Sequence, residues 1–306
     1  MDGLRFSLVC AVAGAALAGC QPKVAQNTGN GANHAGSTAN TTPDRPKRRV
    51  VRVSTVEQFI DAIEPNTIIQ LAAGTYDVSK VAQKKRTFVV YEDSYDGSVG
   101  DLVIRNVPNL TIAGPAGRGA RIVTPERYSR VLTLRDCRGV ELAGLTVGHS
   151  PGEGYCTGGV VRIEKVRGLT VINCDLFGCG TEGLEMTDVA EATFRDTIIR
   201  DCTYGILTLR QGSNITFRDC RFAGNKEFHG VVVHDSEAVT FRGCTIEKNV
   251  LNSSISSPLF KITSSSAVKL IDSIVRANTY PAFQSANSPL RIERTRINGN
   301  TLHQGK

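Results

Sequence analysis

The chain has 306 residues, 41% hydrophobic and 21% charged, with 30 glycines, 9 cysteines, no tryptophan and a formal net charge of +7. That length supports a sizeable core without disulfide stapling, and the composition is too apolar for wholesale disorder and too mixed for a membrane bundle. Abundant glycine with few aromatics points to many turns, and the basic balance admits nucleic acid, an anionic membrane surface or an acidic polymer without choosing among them.

At the start of the chain, Arg5 precedes an apolar run from Phe6 to Ala18. The run is too short to cross a hydrocarbon core that needs ~20 helical residues, but it fits the apolar region of a secretory signal. Its ending, Leu17-Ala18-Gly19-Cys20, resembles a bacterial lipobox. The resemblance implies a signal peptide over 1–19 and a diacylglyceryl group on the thiol of Cys20. Gln21 in place of aspartate then implies the outer membrane of a bacterial envelope. Residues 20–49 form a tether rich in Gln, Asn, Thr, Ser, Ala and Gly, without apolar periodicity, that cannot offset its own ordering entropy. Lys47-Arg48-Arg49 reads as the solvated end of that linker.

Folded structure is expected from Val53, within a domain spanning 50–306. Ser54 or Thr55 can cap a short helix, Thr55 with Gln58 fits a capping box, and Val56, Phe59, Ile60 and Ile63 make one apolar face. Thr67–Tyr76 reads as a strand entering a glycine turn, and helix plus strand would plug the open end of a solenoid. From residue 107 the chain is periodic. Its anchors, Leu110, Val140, Leu169, Ala192, Ile215, Val239, Val268 and Leu290, are spaced by 30, 29, 23, 23, 24, 29 and 22 residues. Short period-2 strands recurring this way indicate stacked coils with occasional loop insertions. Five residues after the anchors, from the third onward, stand Cys174, Thr197, Cys220, Cys244, Ser273 and Thr295. Ten after them stand Cys179, Cys202, Asn225, Asn249, Asn278 and Asn300. Stacked at roughly 4.8 Å, such side chains can hydrogen-bond up a column and satisfy the backbone of inward turns. The pattern resembles the right-handed parallel β-helix proteins of the pectin-lyase-like superfamily over residues 50–306. The expected fold is all-β, a right-handed parallel β-helix with a short N-terminal capping helix.

Outside the signal, Cys137, Cys156, Cys174, Cys179, Cys202, Cys220 and Cys244 remain. Side chains stacked in parallel point the same way, which suits buried thiols better than disulfides, although a secreted protein would permit either. Spacings such as Cys174 to Cys179 do not match zinc ligands, so neither a metal nor a cofactor is expected. Chemistry is expected where the coil loses regularity, at 149–159, 178–183 and 201–205. His149, Glu153, Tyr155, Glu182, Glu185 and Tyr204, with Arg162, could line a shallow cleft along one edge. Strand alternation sets Arg162 and Glu185 outward, where they could support proton abstraction beside a sugar carboxylate. The competing reading makes these solvated corners and tight turns. His229 and His234 read as surface residues and Asp235 as a turn former.

The resemblance also allows particular activities to be tested. Neither the clustered aspartates of calcium-dependent pectate lyases nor the Arg-Ile-Lys motif of polygalacturonases occurs here. Tyr204-Gly205-Ile206 matches the start of a mannuronan epimerase motif but continues as Leu207-Thr208-Leu209, without Asp-Pro-His. The leading expectation is recognition of polysaccharide or another envelope polymer by a lipid-anchored solenoid, with no nucleic acid partner. The alternatives are a uronate lyase, epimerase or hydrolase, and a structural or adhesive rod with a protein partner. Residues 20–49 carry a net +4 and the remaining body only +3, so the basic balance mostly describes the tether.

Overall fold

The computed structural model describes residues 48–81, 84, 86–94, 97–151, 157–178, 181–252 and 255–303. Cys20, the signal and tether through residue 47, Glu153, Tyr155, Cys156 and Cys179 lie outside the described residues.

Strand Arg49–Val53 pairs in parallel with Thr67–Leu71, so order begins before Val53. Arg48 and Arg49 are not a solvated linker end. Arg48 Nη2 donates to Asn109 O at 3.1 Å and to Thr111 Oγ1 at 2.7 Å, and Arg49 pairs with Glu64 at 2.9 Å. Helix Val56–Asp61 is capped by Thr55, whose Oγ1 accepts from Gln58 N. Gln58 Oε1 accepts in turn from Ser54 N at 2.9 Å, one residue before the partner a capping box would use. Val56, Phe59 and Ile60 turn inward, and Phe59 meets the buried ring of Tyr76 edge-on at 6.0 Å.

Beyond this cap the chain is a parallel β-helix, with sheets of 15, 9 and 2 strands among the described residues. Among the described strands one pair is antiparallel, joining Val89–Tyr91 to Leu102–Arg105 near the N-terminal end. All eight anchors fall in one column: the register aligns Val140, Leu169, Ala192, Ile215 and Val239, and the neighbouring pairs extend it to Leu110, Val268 and Leu290. The 15-stranded sheet folds through a bend at which Lys165, Asp188 and Gln211 adopt left-handed φ of 53°, 55° and 54° inside the strands Val161–Ile172, Glu182–Arg195 and Gly205–Arg218. Each long strand thereby presents two outward faces, one on either side of the bend.

Two polar columns run through the interior. Asn225, Asn249, Asn278 and Asn300 form a ladder in which each Nδ2 donates to the Oδ1 of the next, at 2.8–2.9 Å. Each Oδ1 also accepts from the backbone N one coil earlier, at 3.0–3.1 Å. The inward turns are therefore satisfied by side chains rather than water. In the neighbouring column Thr197, Ser273 and Thr295 hydroxyls accept from the backbone of Cys174, Cys244 and Ser273. Cys137, Cys174, Cys202, Cys220 and Cys244 are buried free thiols, and burial pushes Cys174 up to about 11. Two residues after their anchors, Phe194, Phe217 and Phe241 stack face to face at 4.7 and 4.9 Å.

Candidate functional site

Ahead of the bend, period-2 alternation buries Val161, Ile163, Leu184 and Met186 and turns Arg162, Glu164 and Glu185 outward. Register stacks Thr133, Arg162, Glu185, Thr208, Val232 and Lys261 on successive coils, so residues far apart in sequence share one face.

Glu185 is clamped between two guanidiniums. Arg130 Nη2 donates to both carboxylate oxygens at 3.0 and 3.1 Å, and Arg162 Nε and Nη2 donate to Oε2 at 3.0 and 2.9 Å. Arg130 also binds Asp101 through Nη1 at 3.2 Å and through its backbone N at 2.7 Å. Arg162 reaches Glu164, which with Glu92 is bound by Arg135. Burial raises Glu185 above its ordinary value against the pull of Arg162, and it pushes Asp101 up to about 6. Space for the clamp comes from Gly159, where a Cβ would stand 2.8 Å from Glu185 Oε1.

Glu182 is in a different state. Its Oε2 is buried without a hydrogen-bond partner, and burial pushes the carboxyl up to about 7, although the Thr208 hydroxyl bonds to it. Glu185 adds repulsion, while Arg210 and Arg162 act in the opposite sense. Gly205 separates Glu182 from His229 in one column, and a Cβ there would come within 3.3 Å of Glu182 Cγ and 3.1 Å of His229 Cβ. The neighbouring Tyr204 ring is 38% exposed and packs on Phe228 at 4.7 Å and His229 at 5.2 Å. His229 is thus a half-buried member of an aromatic cluster rather than a surface residue. Burial, helped by Lys261 and Arg210, lowers its pKa.

Of the expected cleft, Arg162, Glu182, Glu185 and Tyr204 share this face. Glu153 and Tyr155 fall outside the described residues. His149 does not line the cleft: it is 1% exposed at the end of Leu145–His149, with Nε2 2.9 Å from Ser129 O. Its ring lies behind the segment carrying Arg130, because Ser129 closes over the strand end; burial lowers its pKa. His234 pairs with Asp235, whose φ of 46° makes it the expected turn former. Arg130, Asp101 and Thr208 escape the sequence reading: Arg130 lies 55 residues from Glu185, and no local spacing links them.

A separate hollow of about 840 Å³ opens at the bend beside Gln211–Ser213, Asp235–Glu237 and Thr263–Ser266. Its Ser236 and Ser265 hydroxyls are engaged by the backbone. Among the described residues no three His, Cys, Asp or Glu side chains converge as a metal site.

A family model described as "Right handed beta helix region" matches residues 133–302. The chain belongs to the right-handed β-helix family. Solved structures share this fold at low identity. Pectate lyase Pel9A is 13% identical, with 85% of this chain and 78% of that one covered and a TM-score of 0.52. A pectate lyase from Bacillus sp. N165 in complex with trigalacturonate is 10% identical, with 82% of each chain covered and a TM-score of 0.52. An alginate lyase from Paenibacillus sp. str. FPU-7 is 11% identical, with 84% and 98% covered and a TM-score of 0.48. No curated protein sequence matches the chain. At these identities the right-handed β-helix itself is what is shared.

Proposed function

We propose that the protein binds a polysaccharide on the outward face around Glu182, Glu185 and Tyr204, and that Glu182 transfers a proton to or from the bound sugar. The observation that carries this reading is the Glu182 carboxyl, buried with one oxygen unpartnered and titrating at about 7 beside an exposed aromatic ring. A carboxyl with that titration point exchanges a proton readily at neutral pH, and Tyr204 offers a flat apolar surface for a sugar ring. Glu185 is too fully engaged to move a proton freely; it positions Arg130 and Arg162. The trigalacturonate held by a β-helix of the same fold supports a sugar polymer as the ligand class. In the same proposal Cys20 is lipidated and tethers the solenoid to the outer membrane, facing envelope polymers.

The test combines binding and product release over a panel of uronate and neutral polysaccharides. Tyr204→Ala should weaken binding about tenfold, as expected for loss of a ring contact. Glu182→Gln should retain binding while slowing turnover ~10²–10⁴-fold. Turnover unchanged in Glu182→Gln would remove Glu182 as the proton carrier, and binding without turnover in wild type would leave a binding protein only. Failure of wild type to bind any polymer would sink the proposal in favour of a rod with a protein partner.

A further inference from the structure

The interior columns end on the last described coil. Ile292 continues the column of Phe241 and Leu270, Ile297 that of Ile246 and Val275, and Leu302 follows Tyr280. Leu270 and Val275 are fully buried, whereas Ile292, Ile297 and Leu302 are 40%, 42% and 66% exposed. Strands Arg291–Glu293, Arg296–Asn298 and Thr301–Leu302 are each the last of their sheets among the described residues, so each leaves a row of backbone donors and acceptors unpaired. At the other end helix Val56–Asp61 folds Val56, Phe59 and Ile60 over the core. An apolar surface bordered by bare sheet edges is a template for pairing with another chain.

We propose that this end docks on the same end of a second copy, with Arg291–Glu293 adding antiparallel to its counterpart about a two-fold axis at Ile292. Charge selects the register. Centring on Arg291 would oppose two arginines, and centring on Glu293 would oppose two glutamates. Centring on Ile292 sets Arg291 opposite Glu293 of the partner subunit, and the reverse, while both isoleucines stay on the core side. Opposite charges directly across an antiparallel pair stabilise it and like charges destabilise it. The two-fold contact covers the open end of both copies and closes. Head-to-tail stacking would instead set the open end against the capping helix and leave a further open end each time.

Sedimentation of the purified full chain over a concentration series tests this. Wild type should approach twice the monomer mass. Arg291→Glu and Glu293→Arg should each raise the dimer dissociation constant about tenfold or more, through like charges facing twice across the axis. The double variant Arg291→Glu with Glu293→Arg should restore dimerisation. Both side chains point away from the core, and unchanged thermal melts of the variants would verify the fold. Monomeric wild type at every concentration overturns the proposal. So does a dimer indifferent to the single reversals, or a mass climbing beyond two copies as head-to-tail growth requires.

Discussion

Glu182 holds a carboxyl that burial pushes up to about 7 from an ordinary value of 4.5. Between those values the folded chain keeps a proton that the unfolded chain has lost. The stability tied to this group is therefore whole below about 4.5 and is lost as the pH rises through about 7. The size of the shift corresponds to roughly 3 kcal/mol. Asp101, pushed up to about 6, works in the same direction, whereas buried His149 loses stability toward acid because it resists protonation. Urea midpoints at pH 5 and pH 8 should show wild type losing stability between them. In Glu182→Gln that loss should shrink by about 2–3 kcal/mol, and an unchanged difference would show that Glu182 is not the buried acid. The outward pairing of Arg162 and Glu185 was legible from alternation along their strands. The depth of His149 was not, because it depends on Ser129 closing over the strand end.

At the scale of the element, the asparagine ladder was legible because each rung occupies the same step after an anchor. A rung is bound on four sides: Asn249 accepts from Asn225 N and Nδ2, and donates to Phe222 O and Asn278 Oδ1. Asn249→Ala strands several buried polar groups at once and should cost about 2–4 kcal/mol in chemical denaturation. Asn300→Ala, on the last coil and partly open to water, should cost about 1 kcal/mol. Equal losses at both positions would mean that burial does not set the worth of a rung. The clamp on Glu185 was half legible. Arg162 follows from the repeat, but Arg130 stands on the approach to the strand Leu132–Arg135, in a segment with no repeat of its own.

For the molecule as a whole, Cys20 lies in the part of the chain whose pattern resembles a lipobox. Cys20→Ser should move the protein from the membrane to the soluble fraction on cell fractionation, and unchanged membrane retention would rule out lipidation as the anchor. The charge of the body, only +3, leaves the cationic character to residues 20–49. Arg48 and Arg49 nonetheless belong to the solenoid, because their guanidiniums find acceptors on the first coils and on Glu64. The sequence by itself determined the coil register, the polar columns and the capping helix, since each is written as a short period or a cap repeated along the chain. Only the tertiary structure decided the state of Glu182, the clamp on Glu185, the burial of His149 and the exposure of Ile292, Ile297 and Leu302. Those depend on which side chains from distant coils meet and how much water is excluded, and no local spacing encodes either.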